Sequence, residues 1–305
     1  MSALDTVSLI FPLAICGSAV VLNFLSMSAI LGFAALRKQQ NIFAFHLSLC
    51  DFIGAMGIVM TYVPRLIKGL TPTPWTELLF ATALIVSILT TLAIAVERFV
   101  VFRVDPFGNR DIITPCRSIM VCLCSWLLVF VLYYLFVKFE EYIKTILARL
   151  TLTIVLWSTM LVTATCYGFI YQRISSTSRN VAQSDRFLQQ RIKVHQKIVL
   201  TFGLVVGSTC LCWVPMSVVE ILEGLQLYGD RGWFVHMDRV SFNILCLSPV
   251  LNPIIIWSRL TEFRNQLPVC FGGGLGGTEQ ETKTPVTPTI SLSLRIKDKG
   301  IATPP

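Results

Sequence analysis

The sequence predicts an all-α fold, a bundle of seven transmembrane helices with a short amphipathic helix on the inner side of the membrane. Of its 305 residues, 54% are hydrophobic and only 14% are charged, and the mean hydropathy of +0.70 is too high for a soluble domain of this size. The apolar residues also form blocks long enough to cross a hydrocarbon layer, which takes about 20 helical residues. We therefore expect an integral membrane protein.

The apolar blocks are bounded by polar residues, Pro or Gly. The first is too long for a signal peptide, and its basic residues Arg37 and Lys38 follow it, so we expect it to be retained as a span. The predicted spans are Val7–Leu36, Ile42–Leu66, Thr76–Phe102, Arg117–Val137, Ile146–Tyr171, Gln196–Leu222 and Phe234–Trp257. Most loops are short, so consecutive helices should pack as antiparallel neighbours in one bundle over residues 1–257.

The chain changes character after the seventh block. Residues 258–270 place Leu260, Phe263 and Leu267 on one helical face and charged side chains on the other, which predicts an amphipathic juxtamembrane helix. Residues 271–305 are rich in Gly, Thr, Ser, Pro and Lys, and this composition predicts a disordered cytoplasmic tail.

Charge indicates the orientation of the chain in the membrane. Lys and Arg cluster in alternate loops, whereas the opposite loops mix both signs. Because basic loops stay on the cytoplasmic side, the N-terminus should be extracellular and the C-terminus cytoplasmic, in a multi-pass protein of the plasma membrane. The net charge of +8 is then a sign of topology, and no nucleic-acid partner is expected.

Other classes of membrane protein and enzyme fit the sequence less well. The three histidines, His46, His195 and His236, are dispersed, and no His, Cys or carboxylate group has the spacing of a metal site or a nucleophile, so we expect neither an enzyme nor a metal. A transporter or channel is an alternative, but we detect no internal repeat and no series of ionisable residues along the spans.

Polar groups inside the spans are the first candidates for function, since they are costly in a membrane. Asp51 is the sharpest case, because a buried carboxylate must be protonated, paired or neutralised by a cation. Ser87 and Arg98 share one face of the third span, and Glu97 stands beside Arg98 where that span ends. For a Glu-Arg pair alone, an arginine that simply marks the end of a span is the plainer interpretation.

Prolines interrupt the sixth and seventh spans. Pro215 should kink the sixth span two residues after Trp213, which makes a hinge with a large side chain inside the bundle. Pro253, directly after Asn252, should kink the seventh span near its inner end.

Taken in order, these residues resemble the rhodopsin-like G-protein-coupled receptors over all seven spans. The markers are Asn23, Leu47, Asp51, Ser87, Glu97, Arg98, Phe99, Trp126, Tyr167, Cys212, Trp213, Val214, Pro215, Asn252, Pro253 and Phe263. Each marker is weak alone, and their order on the expected spans makes the resemblance strong.

The resemblance implies roles for the matching residues. Arg98 would engage a heterotrimeric G protein, with Glu97 restraining it at rest and Tyr167 holding the active arrangement, and arrestin would be a second partner. Trp213 would be the switch beneath the ligand. The family's sodium pocket would consist of Asp51, Ser87, Ser248 and Asn252, with sodium as an allosteric modulator and no other cofactor. Cys270 would be the palmitoylated cysteine.

Departures from the family pattern narrow the ligand. Thr73 and Thr159 stand where the family has a disulfide cysteine and a proline, which resembles the branch with melanocortin, cannabinoid, lysolipid and adenosine receptors. Phe80 replaces the aspartate of amine receptors and Cys246 replaces the retinal lysine, so amines and retinal are not expected. Ile256 and Thr209 replace a tyrosine and a phenylalanine that the family uses in activation.

Helical geometry around these markers predicts an apolar pocket with one acidic group near its mouth. Its candidate residues are Phe80, Ala81, Leu84, Trp213, Met216, Ser217, Glu220, Phe242 and Cys246, each of which could instead serve ordinary interhelical packing. Such a pocket favours a lipid or another apolar ligand. The expected function is therefore transduction of ligand binding to a G protein. The alternatives are a melanocortin-like peptide receptor and a weakly coupling or non-signalling partner of another receptor.

Overall fold

The computed structural model describes residues 3–67, 74–104, 112–136, 153–172, 186–225, 227, 231–260 and 263–265. Within these residues every regular element is helical, which confirms the all-α fold class. The helices are α1 Ala3–Gly32, α2 Ile42–Leu66, α3 Pro74–Phe99, α4 Pro115–Phe136, α5 Thr153–Gln172, α6 Arg186–Gly224, α7 Arg231–Leu245 and α8 Ser248–Arg259.

Seven candidate membrane spans occur in the described part of the chain, in agreement with the predicted number. Each of α1 to α6 contributes one, and α7 and α8 together form the seventh, Gly232–Arg259. The chain is thus a multi-pass membrane protein. Apolar side chains that face outward, such as Leu127 (65% exposed) and Leu161 (71% exposed), are what a bilayer requires of such helices.

Most boundaries differ from the prediction by a few residues, and the difference is largest at the start of the sixth helix. The sixth helix has 39 residues because it begins at Arg186 rather than Gln196, and its polar first turns extend beyond the apolar segment that hydropathy detects. Ser258 and Arg259 complete α8, and of the expected juxtamembrane helix after Leu260 only 263–265 are described, as a helical turn. Cys270, the tail and residues 137–152, which include the predicted start of the fifth span, lie outside the described residues.

The outer halves of α2 and α3 approach each other closely at Gly57. A Cβ atom at this position would lie 2.9 Å from the Phe80 Cβ and 3.2 Å from the Phe80 Cα. Only glycine fits such a distance without a shift of one helix, so this contact sets how near α3 stands to α2.

A second contact ties α2, α3 and α4 together through His46. Trp126 Nε1 lies 3.0 Å from His46 Nε2, and an indole N–H can only donate, so Nε2 must accept. The other nitrogen, Nδ1, therefore carries the proton and donates to Thr90 Oγ1 at 2.9 Å. Thr90 donates in turn to the Val86 carbonyl at 2.7 Å, so each polar side-chain atom in this series of three hydrogen bonds has a partner.

The inner half of the bundle surrounds a large apolar cluster. Its buried members come from α1, the turn at Ala34–Leu36, α2, α3, α4, α6, α8 and the turn at 263–265, and include Leu36, Leu47, Ile94, Phe202, Ile256 and Phe263. Phe263 packs against Trp257 with ring centroids 5.9 Å apart, and Trp257 Nε1 donates to Ser26 Oγ at 2.7 Å. This cluster holds the inner ends of α1 and α8 in place.

Candidate functional site

A polar network at the centre of the bundle is organised around Asp51. The Asp51 side chain is 5% exposed, and its Oδ1 accepts a hydrogen bond from Ser87 Oγ at 3.0 Å. Its Oδ2 accepts from Asn252 Nδ2 at 2.7 Å. The structure therefore brings three of the four predicted sodium-pocket residues together, from α2, α3 and α8.

The network extends to α6 and α1. Thr209 Oγ1 donates to the Val205 carbonyl at 2.9 Å and lies 3.4 Å from Asn252 Oδ1. On the other side, Asn23 Nδ2 donates to the Pro249 carbonyl at 2.8 Å. That carbonyl has no helical donor, since Pro253, four residues later, lacks an N–H. Asn23 thus satisfies the backbone group that the predicted kink releases.

Ser248, the fourth predicted sodium-pocket residue, is buried but makes no hydrogen bond to Asp51. The carboxylate and hydroxyl oxygens of Asp51 and Ser87 are nonetheless the donor type that a hard cation prefers. In the described residues around Asp51, its hydrogen-bond partners are neutral, so the carboxylate has no cationic side chain to balance it.

The predicted ligand pocket and the Asp51 network meet in one cavity. A small cavity of about 20 Å³ has Asp51 and Pro249 among its lining residues, together with Phe80, Leu84 and Cys246 of the predicted pocket. Above it, the Phe242 ring lies between two others, stacked on Tyr62 at 5.7 Å and edge-on to Phe80 at 6.4 Å.

Tyr62 and Ile58 were missed by the sequence prediction, although they belong to the same group of side chains. Helical spacing could have found them, because Ile58 follows Asp51 by seven residues and Tyr62 follows it by eleven, so both share its face of α2.

Trp213 lies at the base of the pocket region, 4% exposed. It packs in a cluster whose other members come from α3, α5, α6 and α7, namely Ile88, Leu156, Leu245, Leu84, Met160, Met216 and Phe242. Ser217 is buried, but its hydroxyl donates to the Val214 carbonyl of its own helix at 2.8 Å. Ala81 and Glu220 are half-buried on α3 and α6.

Two departures from the family pattern meet at one place below Trp213. Thr159 of α5 and Thr209 of α6 both line a small cavity of about 20 Å³, which is also bounded by Ile88 of α3. The two departures, which are far apart in the sequence, therefore lie at one junction of three helices.

The inner end of α3 carries a buried ion pair. Arg98 Nη2 lies 3.0 Å from Glu97 Oε2, and both residues are 5% exposed. The same nitrogen donates to the Gln40 carbonyl at 3.2 Å, on the turn that precedes α2. The guanidinium also lies 4.8 Å from the centre of the Phe202 ring of α6, within the range of a cation–π contact.

More buried atoms lack a hydrogen bond at this inner site than in the Asp51 network, where Asn23 Oδ1 is the one described atom without a partner. Arg98 Nε, Glu97 Oε2 and Tyr167 Oη are buried without a hydrogen bond, so the ion pair relies on charge alone at Oε2. The Tyr167 ring packs beside Gly203 of α6, where an added Cβ would lie 3.6 Å from it. Arg98 and Tyr167, predicted to act together, therefore flank the same part of α6.

A family model described as 7 transmembrane receptor (rhodopsin family) matches residues 22–256, which span both the Asp51 network and the Arg98 site. The chain belongs to this receptor family. A curated relative is similar to the chain at low sequence identity. The neuromedin-K receptor of Cavia porcellus is 23% identical over 277 residues, which cover 82% of this chain and 62% of that receptor. The chain thus spans about 62% of the length of that relative.

Proposed function

We propose that this receptor converts the binding of an extracellular ligand into nucleotide exchange on a heterotrimeric G protein, from the plasma membrane, with its N-terminus outside and its C-terminus in the cytoplasm. The observation that carries the proposal is the closed arrangement at Arg98. A buried cation held by Glu97, Gln40 and Phe202 has little structural purpose unless it is released. The basic loops support the orientation.

Release of Arg98 requires movement of α6. Phe202 covers the guanidinium from α6, so displacement of this end of α6 would expose Arg98 to the cytoplasm. The Tyr167 hydroxyl, which has no hydrogen bond in this arrangement, would then gain room to bond with groups on the opened face. An incoming helix of the G protein ends in free carbonyls that suit an arginine. Arrestin would use the same face.

Movement of α6 would start at the ligand pocket. Trp213 and Met216 lie in one apolar cluster with Leu84 of α3, on either side of Pro215, which lies inside α6. A ligand that pressed on this cluster would change the packing of α6 against α3.

The ligand class that the pocket favours is an apolar small molecule or lipid, because Ile58, Phe80, Leu84 and Leu245 line the cavity and the Phe80 ring packs against Phe242. A peptide is the second candidate, favoured by the similarity to the neuromedin-K receptor. Sodium is proposed as a modulator that Asp51 and Ser87 would hold, neutralising the buried carboxylate. Palmitoylation of Cys270 is also a proposal.

The test is capture of nucleotide-free G protein. Detergent-solubilised receptor is mixed with heterotrimers of each G-protein family, and nucleotide is removed with apyrase. We expect one family to co-purify with the receptor and to dissociate when GTPγS is added. Arg98→Ala should lose this complex, whereas Arg259→Ala, an exposed arginine at the end of α8, should keep it.

A specific observation keeps the non-signalling partner function open. Ile256 is 2% exposed inside the inner apolar cluster, so α8 presents no hydroxyl where the family has a tyrosine. If no G protein is captured by the intact chain or by Ile256→Tyr, the coupling proposal is wrong and the partner function is favoured.

A further inference from the structure

A cavity of about 170 Å³ lies beside the inner end of α3, apart from the ligand pocket and the Asp51 network. Its walls come from α2, α3, α4 and the residues just before α4. Most of them are apolar, and these include Phe43, Ala93, Val96, Val100, Ile113 and Val121. Of the residues already assigned a role, Glu97 lines it.

The cavity is bordered by side chains that face the bilayer. Val96 is 41% exposed and Val121 is 48% exposed, and the neighbouring Met120 of α4 is 54% exposed. Within a membrane span, exposed apolar side chains meet acyl chains rather than water. An acyl chain can therefore enter between α3 and α4, and the apolar walls favour it over water.

A basic side chain lies at the edge of the cavity. Arg117 lines it and is exposed on the first turn of α4, and its Nη1 donates to the Ile112 carbonyl at 2.7 Å, which holds the guanidinium at this edge. Arg103 is exposed at the end of the helical turn after α3, three residues beyond the lining residue Val100. Glu97 adds little negative charge to the wall, since Arg98 lies 3.0 Å from it.

We propose that this cavity binds an anionic phospholipid of the cytoplasmic leaflet, with one acyl chain between α3 and α4 and the phosphate on Arg117. Guanidinium and phosphate form strong charge-assisted hydrogen bonds, and basic loops attract anionic lipids. The choice of leaflet rests on the proposed orientation of the receptor, whereas the binding of the lipid does not depend on coupling. Because Glu97 forms part of the wall, a bound lipid supports the resting ion pair with Arg98.

The test counts the lipids that the intact chain retains. Receptor is reconstituted in nanodiscs with equal phosphatidylserine, phosphatidylcholine and cholesterol, then released into mild detergent and weighed by native mass spectrometry. We expect one retained phosphatidylserine. Val121→Trp should block the entrance and reduce retention roughly tenfold, and Arg117→Gln should remove the preference for phosphatidylserine.

Matched variants separate this site from general effects. Val131→Trp places the same side chain on another exposed position of α4, and Arg259→Gln removes a distant inner arginine, so both should retain lipid as the parent does. If Val121→Trp unfolds on heating at a lower temperature than Val131→Trp, Val96→Trp replaces it. Equal retention in the blocked and control variants, equal binding of phosphatidylcholine, or retention of cholesterol alone would each overturn the proposal.

Discussion

The two polar sites on α3 differ in how completely their hydrogen bonds are made. Ser87 and Arg98 are about 16 Å apart along the helix axis. Near Ser87, each carboxylate oxygen of Asp51 accepts a hydrogen bond, one from Ser87 and one from Asn252. Asn252 also accepts a hydrogen bond from Thr209 of α6. At Arg98, one buried atom in each of Arg98, Glu97 and Tyr167 has no hydrogen bond, whereas in the Asp51 network, among the described residues, this holds only for Asn23 Oδ1.

This contrast indicates that the two sites have different roles when the receptor changes conformation. A satisfied buried network is rigid, because any movement breaks hydrogen bonds that cannot be replaced in an apolar interior. A network with unpaired atoms has less to lose and can gain partners when it opens. We therefore infer that the Asp51 network stays fixed while other parts of the bundle move, and we call it the pivot. The inner end of α3 is where the receptor changes conformation.

The largest loss of stability should follow from breaking the pivot. Asn252→Ala removes the donor to Asp51 Oδ2 and leaves the buried carboxylate with Ser87 alone, at a cost of roughly 2–3 kcal/mol. Thermal unfolding can be followed with a thiol-reactive dye, since Cys16, Cys50 and Cys246 are free and buried. Asn243→Ala, at a half-buried asparagine of α7, is the control. Equal melting temperatures for both variants would contradict the assigned role.

A smaller effect is expected from separating α2 and α3 next to the pivot. Gly57→Ala would place a Cβ 2.9 Å from the Phe80 Cβ, so the helices must shift at a cost of about 1–3 kcal/mol. Gly207→Ala on α6, where nothing lies within 4 Å, should be neutral or slightly stabilising. The dye assay compares the two, and a neutral Gly57→Ala would show that the approach of α2 to α3 is not needed.

Replacement of His46 tests whether a second hydrogen-bonded network contributes to stability as the pivot does. His46→Leu leaves the Trp126 indole without its acceptor, so we expect a loss of about 1 kcal/mol or more. In a double-mutant cycle with Trp126→Phe, the second substitution should cost little once His46 is replaced. Fully additive losses would mean that the hydrogen bond does not contribute.

The smallest change in stability should come from the inner site. Tyr167→Phe removes a buried hydroxyl that has no hydrogen bond, so the melting temperature should stay the same or rise slightly. Nucleotide exchange should nevertheless fall, because the hydroxyl is proposed to bond only in the open form. Tyr171→Phe, at a 75% exposed position of the same helix, should alter neither quantity. A clear drop in melting temperature for Tyr167→Phe would place this hydroxyl in the resting network instead.

The fold was predictable because span number depends on apolar length, which a sequence displays directly. The rotation of each helix about its axis could not be predicted in this way, and this rotation decides which side chains are in contact. Thr159 and Thr209 line one cavity only because α5 and α6 turn those faces toward α3. In the sequence, His46 is only one of three dispersed histidines, because its hydrogen bond with Trp126 joins residues on separate helices. Asn23 could have been paired with Pro249 by noticing that Pro253 frees that carbonyl.

The most direct test of the account is basal nucleotide exchange by intact receptor beside Arg98→Ala, at matched surface level and across the G-protein families. Arg98 is held by an ion pair and by Phe202 in the closed form, so it should be needed for exchange once α6 moves. The account predicts that one family shows exchange that Arg98→Ala abolishes and Arg259→Ala preserves. Equal exchange with and without Arg98 would contradict the assignment of the inner end of α3 as the switch.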